Sequence, residues 1–149
     1  MSLTILLVDD HPIVREGYRR LLERQPGHRV VAEASTAAEA YRAYRETRPD
    51  VTLVDLTLGG PGGLEVIRHI RQFDRAARLL VFTMHQNAAY AMKAFEAGAS
   101  GYVTKTSPPE ELVAACNAVA AGGRAPSPDI AADLAAERLA AGGGLPAAP

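Results

Sequence analysis

The sequence predicts an α/β fold, a doubly wound five-stranded parallel sheet in the order 2-1-3-4-5 with helices on both faces. Three observations predict it. Five short apolar runs alternate with five stretches of helical periodicity, a pattern that requires mostly parallel strands joined by right-handed crossovers. The runs are brief and rich in Val, Ile and Leu, as in strands buried between helix layers. Polar residues cluster just past the carboxyl ends of four of them, where open α/β sheets place ligand sites.

The elements follow in order. Leu3–Val8 is the first strand, ending in Asp9-Asp10-His11-Pro12. Pro12 suits a first helical turn, with Asp10 as its cap. Ile13, Val14, Gly17, Tyr18, Leu21 and Leu22 keep one helix face apolar to about Arg24, and Pro26-Gly27 stops it. His28–Ala34 alternates as a second strand; Ser35 or Thr36 caps the next helix with Glu39 as capping-box partner. That helix ends before Pro49.

Val51–Val54 is the third strand, closed by Asp55 and a glycine-rich loop, Gly59 to Gly63. A helix from about Leu64 to Phe73 follows, with Leu64, Val66, Ile67 and Ile70 on its apolar face. Arg78–Phe82 is the fourth strand, ending on Thr83; a helix runs from about Asn87 to Ala97, where Gly98 stops it. Gly101-Tyr102-Val103 is a short fifth strand ending at Thr104-Lys105. The last helix starts at Ser107-Pro108-Pro109 and buries Leu112, Cys116 and Val119 before Gly122-Gly123. Residues 3–123 form one domain; 124–149 read as a linker or tail with a short helix at 127–140.

Bulk properties narrow the function. Sixteen basic and seventeen acidic side chains give a net charge of −1, which argues against a nucleic-acid surface in this chain. A single cysteine excludes an internal disulfide framework and points to a reducing compartment. No apolar run approaches the roughly 18–20 residues of a membrane span. The start lacks a basic n-region and meets Asp9 and Asp10 at once, so it is no signal peptide. The expected location is cytoplasmic.

In the 2-1-3-4-5 order the four strands ending in Asp9-Asp10, Asp55, Thr83 and Lys105 are consecutive neighbours. Each residue has a simpler use: a cap for Asp10 or Thr83, a solvated loop charge for Lys105. Their joint placement on one sheet edge outweighs those readings. Crowded carboxylates repel unless a cation joins them, and an all-oxygen donor set suits Mg²⁺. A central Asp55 with a lysine and a hydroxyl beside it has the makings of a carboxylate nucleophile in phosphoryl transfer.

The chain resembles the receiver domain of two-component response regulators, of the NarL/LuxR type. The resemblance rests on Leu6-Leu7-Val8-Asp9-Asp10-His11, Pro49-Asp50-Val51 through Asp55-Leu56, Gly63-Leu64-Glu65 and Val81-Phe82-Thr83. It continues through Ala97-Gly98-Ala99-Ser100-Gly101-Tyr102-Val103-Thr104-Lys105 and Pro109-Glu110-Glu111-Leu112. It implies the flavodoxin-like receiver fold and a phosphoryl group passed from a histidine kinase to Asp55. It further implies Mg²⁺ held by Asp9, Asp10, Asp55 and the carbonyl of Thr57, with Thr83 as switch hydroxyl, Lys105 as phosphate-pairing lysine and Tyr102 as switch aromatic. Thr57 and His85, each two residues past a site residue, have a role by analogy in phosphate lifetime, or are plain loop residues.

Two departures stand out. The loop after Asp55 carries Gly59 where the family usually has proline, and Thr106 follows Lys105 where a cis proline is common, so a trans bond is expected. The class normally continues into a helix-turn-helix domain. This chain has no such segment, so it reads as the N-terminal part of a transcriptional regulator that dimerises on phosphorylation, with DNA bound only through the absent output domain. A stand-alone receiver or phosphorelay protein is the alternative. A haloacid-dehalogenase-like Mg²⁺ phosphatase fits less well, because Thr57 stands where that family wants a second aspartate. A nucleotide-binding module lacks its glycine-rich first loop. On this reading the protein is a switch, not a turnover enzyme.

Overall fold

The structure, a computed structural model, describes residues 2–59, 62–84, 88–122 and 125–126. Strands β1 (Leu3–Val8), β2 (His28–Ala34), β3 (Val51–Val54), β4 (Leu79–Thr83) and β5 (Gly101–Thr104) alternate with helices α1 (Pro12–Glu23), α2 (Ala37–Thr47), α3 (Gly62–Phe73), α4 (Ala88–Ala97) and α5 (Pro109–Ala120). All pairings are parallel, and the order β2-β1-β3-β4-β5 is the expected one. A two-residue strand, β6 (Ala125–Pro126), extends the sheet beside β5, where the sequence suggested only linker. A strand at an edge accepts proline because its outward side needs no N–H.

Alternation along the buried strands sorts the core into two layers. Leu6, Val8, Val54, Leu79, Val81 and Tyr102 face α2, α3 and α4, packing on Ala40, Ile67, Ile70, Ala91 and Ala94. Ile5, Leu7, Leu53, Leu80, Phe82 and Val103 face the other way, against Leu22 of α1 and Leu112, Cys116 and Val119 of α5. Because β1, β3, β4 and β5 are covered on both faces, their sequences read as continuous apolar runs, whereas β2 at the edge is only partly buried and alternates.

Three local expectations need correcting. Asp10 does not cap α1: the N-cap is His11, which makes no side-chain cap bond, and Pro12 has no N–H that would need an acceptor. Ile13 and Val14 are exposed (88% and 39%), because the first turn of α1 projects past the sheet and only its later turns reach the core. Helix α3 begins at Gly62, two residues early, and Leu64 is only partly buried. Of the two caps expected for α2, Thr36 is the one used, accepting from Glu39 N–H at 3.2 Å, and the Glu39 carboxylate reaches back to Ser35 N–H at 2.8 Å. The Lys105–Thr106 bond is trans. His85, the start of the fourth helix at Asn87 and the expected helix at 127–140 lie outside the described residues.

Candidate functional site

Backbone hydrogen bonds at the strand ends set the site. Asp9 N–H donates to Ala34 O at 3.0 Å, Asp55 N–H to Val8 O at 3.1 Å and Lys105 N–H to Thr83 O at 2.7 Å. Each of these residues therefore leaves the sheet at the same level. Asp9 and Asp55 are buried although charged, at 2% and 3% exposure. Buried carboxylates persist only when paired or hydrogen-bonded.

Lys105 is the partner. Its Nζ lies 3.0 Å from Asp9 Oδ2 and 3.0 Å from Asp55 Oδ2. The other Asp55 oxygen, Oδ1, accepts from the Thr57 amide at 3.0 Å and the Thr57 hydroxyl at 2.9 Å. Burial alone would raise the Asp55 carboxyl. The Thr57 amide, Lys105 and the Thr57 hydroxyl together outweigh it and hold the group below the usual carboxylate value, so Asp55 is ionised at neutral pH. Lys105 is the converse: burial would lower it, but hydrogen bonds and charge from Asp55 and Asp9 hold it above the usual lysine value.

Asp10 is placed differently. Its Oδ2 accepts from Gly59 N–H at 3.2 Å, a donor that a proline at that position would not have. Its Oδ1 is buried without a hydrogen bond; His11 Nδ1 is 3.0 Å away, but not in hydrogen-bonding geometry. Asp9 Oδ1 takes His11 N–H at 2.9 Å and faces His11 Nδ1 at 3.0 Å. Ligand atoms of Asp9, His11 and Asp55 all lie within 4.8 Å of one another. An unsatisfied carboxylate oxygen, two buried carboxylates and one lysine leave an excess of negative charge. The carboxylates of Asp9, Asp10 and Asp55 are hard oxygen donors that fit a divalent cation such as Mg²⁺, beside the His11 imidazole nitrogen.

The structure thus brings Asp9, Asp10, Asp55, Thr57 and Lys105 together. Thr57 reaches Asp55 through its amide and hydroxyl, a contact its place two residues downstream does not announce. Thr83 closes β4 beside Thr104 of β5 and is fully buried. Tyr102 is also fully buried, in the core layer under α2, α3 and α4; burial first, then the Tyr90 phenol, raises its hydroxyl well above the ordinary value. Pattern reading missed an aromatic wall: Lys105 Nζ lies 5.6 Å from the Phe82 ring centre and 5.9 Å from that of Tyr18, and the two rings pack edge to face at 4.3 Å. It orients the lysine and adds a cation–π contact. Gly63 was missed too. A Cβ there would overlap the Asp55 carbonyl and sit 2.7 Å from Leu56 Cα.

Known proteins place this arrangement. The family model of the response regulator receiver domain matches residues 5–117. The chain is 42% identical over 123 residues to the methanol utilization control regulatory protein MoxX of Paracoccus denitrificans, covering 81% of this chain but only 55% of that protein. It superposes on the crystal structure of a two-component response regulator of the LuxR family from Aurantimonas sp. SI85-9A1 with a TM-score of 0.91, at 68% identity, over 93% of this chain and 99% of that one. The RcsB response regulator of Salmonella typhimurium, described for its conformational dynamism in DNA interaction, superposes with a TM-score of 0.84 at 26% identity, over 95% of this chain and 69% of that one. The chain therefore belongs to the response regulator receiver domain family.

Proposed function

We propose that this receiver domain accepts a phosphoryl group on Asp55 from the phosphohistidine of a histidine kinase and converts it into a change at the β4–β5 surface. One observation carries the reading: Asp55 is buried, ionised and held at a strand end, one oxygen fixed by Thr57 and the other facing Lys105. A carboxylate oxygen attacks phosphorus, the P–O bond forms as the P–N bond breaks, and the imidazole leaves with the electron pair. Lys105 Nζ, already between Asp9 and Asp55, pairs with the added negative charge. Asp10, whose Oδ1 lacks a hydrogen bond, would hold Mg²⁺ together with Asp9, Asp55 and the Thr57 carbonyl, and the ion would supply positive charge to offset that of the phosphoryl group. Thr83 is the hydroxyl that answers the new phosphoryl group, and Tyr102 on the neighbouring strand follows it.

The domain on this reading is a switch whose phosphoryl group is lost slowly, not a turnover enzyme. The LuxR-family likeness supports a transcriptional regulator that dimerises when phosphorylated and binds DNA through an output domain, working in the bacterial cytoplasm. No helix among the described residues is long and apolar enough to cross a membrane. Incubation with acetyl phosphate, with and without Mg²⁺, followed by intact mass tests the central step. One adduct that disappears in Asp55→Asn and on chelation is expected. A folded protein that takes no adduct refutes it.

A further inference from the structure

Asp9 is held at its backbone as well as its carboxylate. Its N–H is fixed by Ala34 O at 3.0 Å, and its carbonyl accepts from Arg15 Nη1 at 2.6 Å. The same Nη1 donates to Ser35 Oγ at 2.7 Å, and Arg15 Nε donates to Glu33 Oε1 at 2.8 Å. Glu33 Oε2 takes a further bond from Arg19 Nη1 at 3.1 Å, so the arginine's anchor is itself anchored. The Arg15 side chain is only 16% exposed. One guanidinium thus ties the end of β1 to β2 and to the loop that follows it. None of its three acceptors is a carboxylate of the acidic pocket.

The Asp9 carbonyl lies in the same rigid plane as the Asp10 N–H. Fixing both the N–H and the C=O of Asp9 fixes the orientation of the Asp9–Asp10 peptide. That orientation determines where Asp10 starts and where its unsatisfied Oδ1 points. We propose that Arg15 is a positioning residue for divalent-cation binding: by clamping the Asp9 carbonyl to the β2 end, it aims the Asp10 carboxylate into the pocket. This rests on the function proposed above and adds a residue to it. Lysine does not replace it, because a single ammonium lacks the planar fork that reaches Glu33, Ser35 and the carbonyl together.

The test measures Mg²⁺ affinity by calorimetry and Asp55 phosphorylation by acetyl phosphate across a Mg²⁺ series, on the 149-residue chain. Arg15→Gln is expected to raise the Mg²⁺ Kd about tenfold, as loss of an outer-sphere partner does, and Arg15→Lys to recover little of it. At saturating Mg²⁺ the phosphorylation rate of both variants returns to near the wild-type value, a split that a merely structural role does not produce. Ser35→Ala and Glu33→Gln each remove one arm of the clamp and are expected to raise the Kd by smaller factors, which keeps the test decisive if Arg15→Gln does not fold. Wild-type affinity in the folded variants overturns the positioning role alone. Wild-type protein that binds no Mg²⁺ overturns the underlying function with it.

Discussion

Lys105 donates to Asp55 Oδ2 across 3.0 Å with both side chains almost fully buried, and the same ammonium serves Asp9. One cation thus compensates two buried anions, with Asp10 adjacent. Removing the lysine leaves both carboxylates buried and unpaired. Lys105→Met is expected to lower unfolding stability by about 3 kcal/mol, the lower end for stranding a buried charge, because the pocket opens to solvent at Asp10. Urea unfolding at pH 7 measures it. Added Mg²⁺ should close part of the gap, since a cation at the acidic pocket offsets the same charges; a gap that Mg²⁺ leaves untouched contradicts this account of the pocket.

Gly63 makes its own prediction. A methyl group at this position has no room, because the Asp55 carbonyl and Leu56 Cα lie where it would stand. Gly63→Ala must push α3 away from the loop that carries Asp55 and Thr57. Overpacking of this kind costs about 1–3 kcal/mol, and the displaced loop should also slow phosphorylation of Asp55. Gly62→Ala is the control: its Cβ meets nothing within 4 Å, so any cost there comes from φ at +85°. Thermal unfolding with the acetyl phosphate assay separates the two. Equal phosphorylation rates in both variants would argue against close packing as the cause.

The fold was legible because burial on both faces writes β1, β3, β4 and β5 as unbroken apolar runs, and because proline and glycine punctuate their helices. The site was legible at Asp9, Asp55 and Lys105 for a related reason: the parallel order turns three distant strand ends into neighbours. Contacts made across or within a loop were not legible. The Thr57 hydroxyl on Asp55, Gly59 N–H on Asp10 and the Tyr18–Phe82 wall depend on loop geometry and on which way α1 lies. Helical periodicity likewise put Ile13 and Val14 on the apolar face, but it cannot tell where the helix runs beyond the sheet. Gly63, which the sequence shows only as part of a glycine-rich loop, is a close-packing glycine.

At the opposite end of the sheet, Tyr44 OH donates to Asp74 Oδ2 at 2.8 Å. That bond is the largest influence holding Asp74 below the ordinary carboxylate value, ahead of the Ala76 N–H; Arg48 and Arg71 add to it, and burial opposes it. A depressed carboxyl contributes stability that is present above the unfolded value of 3.8 and lost as pH falls through the folded one. Tyr44→Phe keeps the edge contact with Phe73 but removes the donor. It should cost about 1 kcal/mol at pH 7. As pH falls from 3.8 through the lower folded value the wild type progressively loses this contribution, so the stability gap between the two proteins should narrow. Parallel urea curves at pH 7 and pH 3 check this, and a constant difference would remove Asp74 as its source.

Cys116 tests the core beneath α5. The thiol is completely buried among Leu22, Leu112 and Val119, and burial pushes it up to about 12. At pH 8 it is therefore both inaccessible and protonated, and only the thiolate reacts. Native protein should resist Ellman's reagent at pH 8, while protein in urea should release one equivalent of chromophore. Slow labelling of the native state must pass through opening of the β-sheet's α1–α5 side. Its rate should then fall below that of the unfolded chain by about tenfold for each 1.4 kcal/mol of opening free energy. Labelling that accelerates with urea in parallel with global unfolding places Cys116 in the last unit to open, whereas rapid labelling without urea would mean that α5 separates from the sheet on its own.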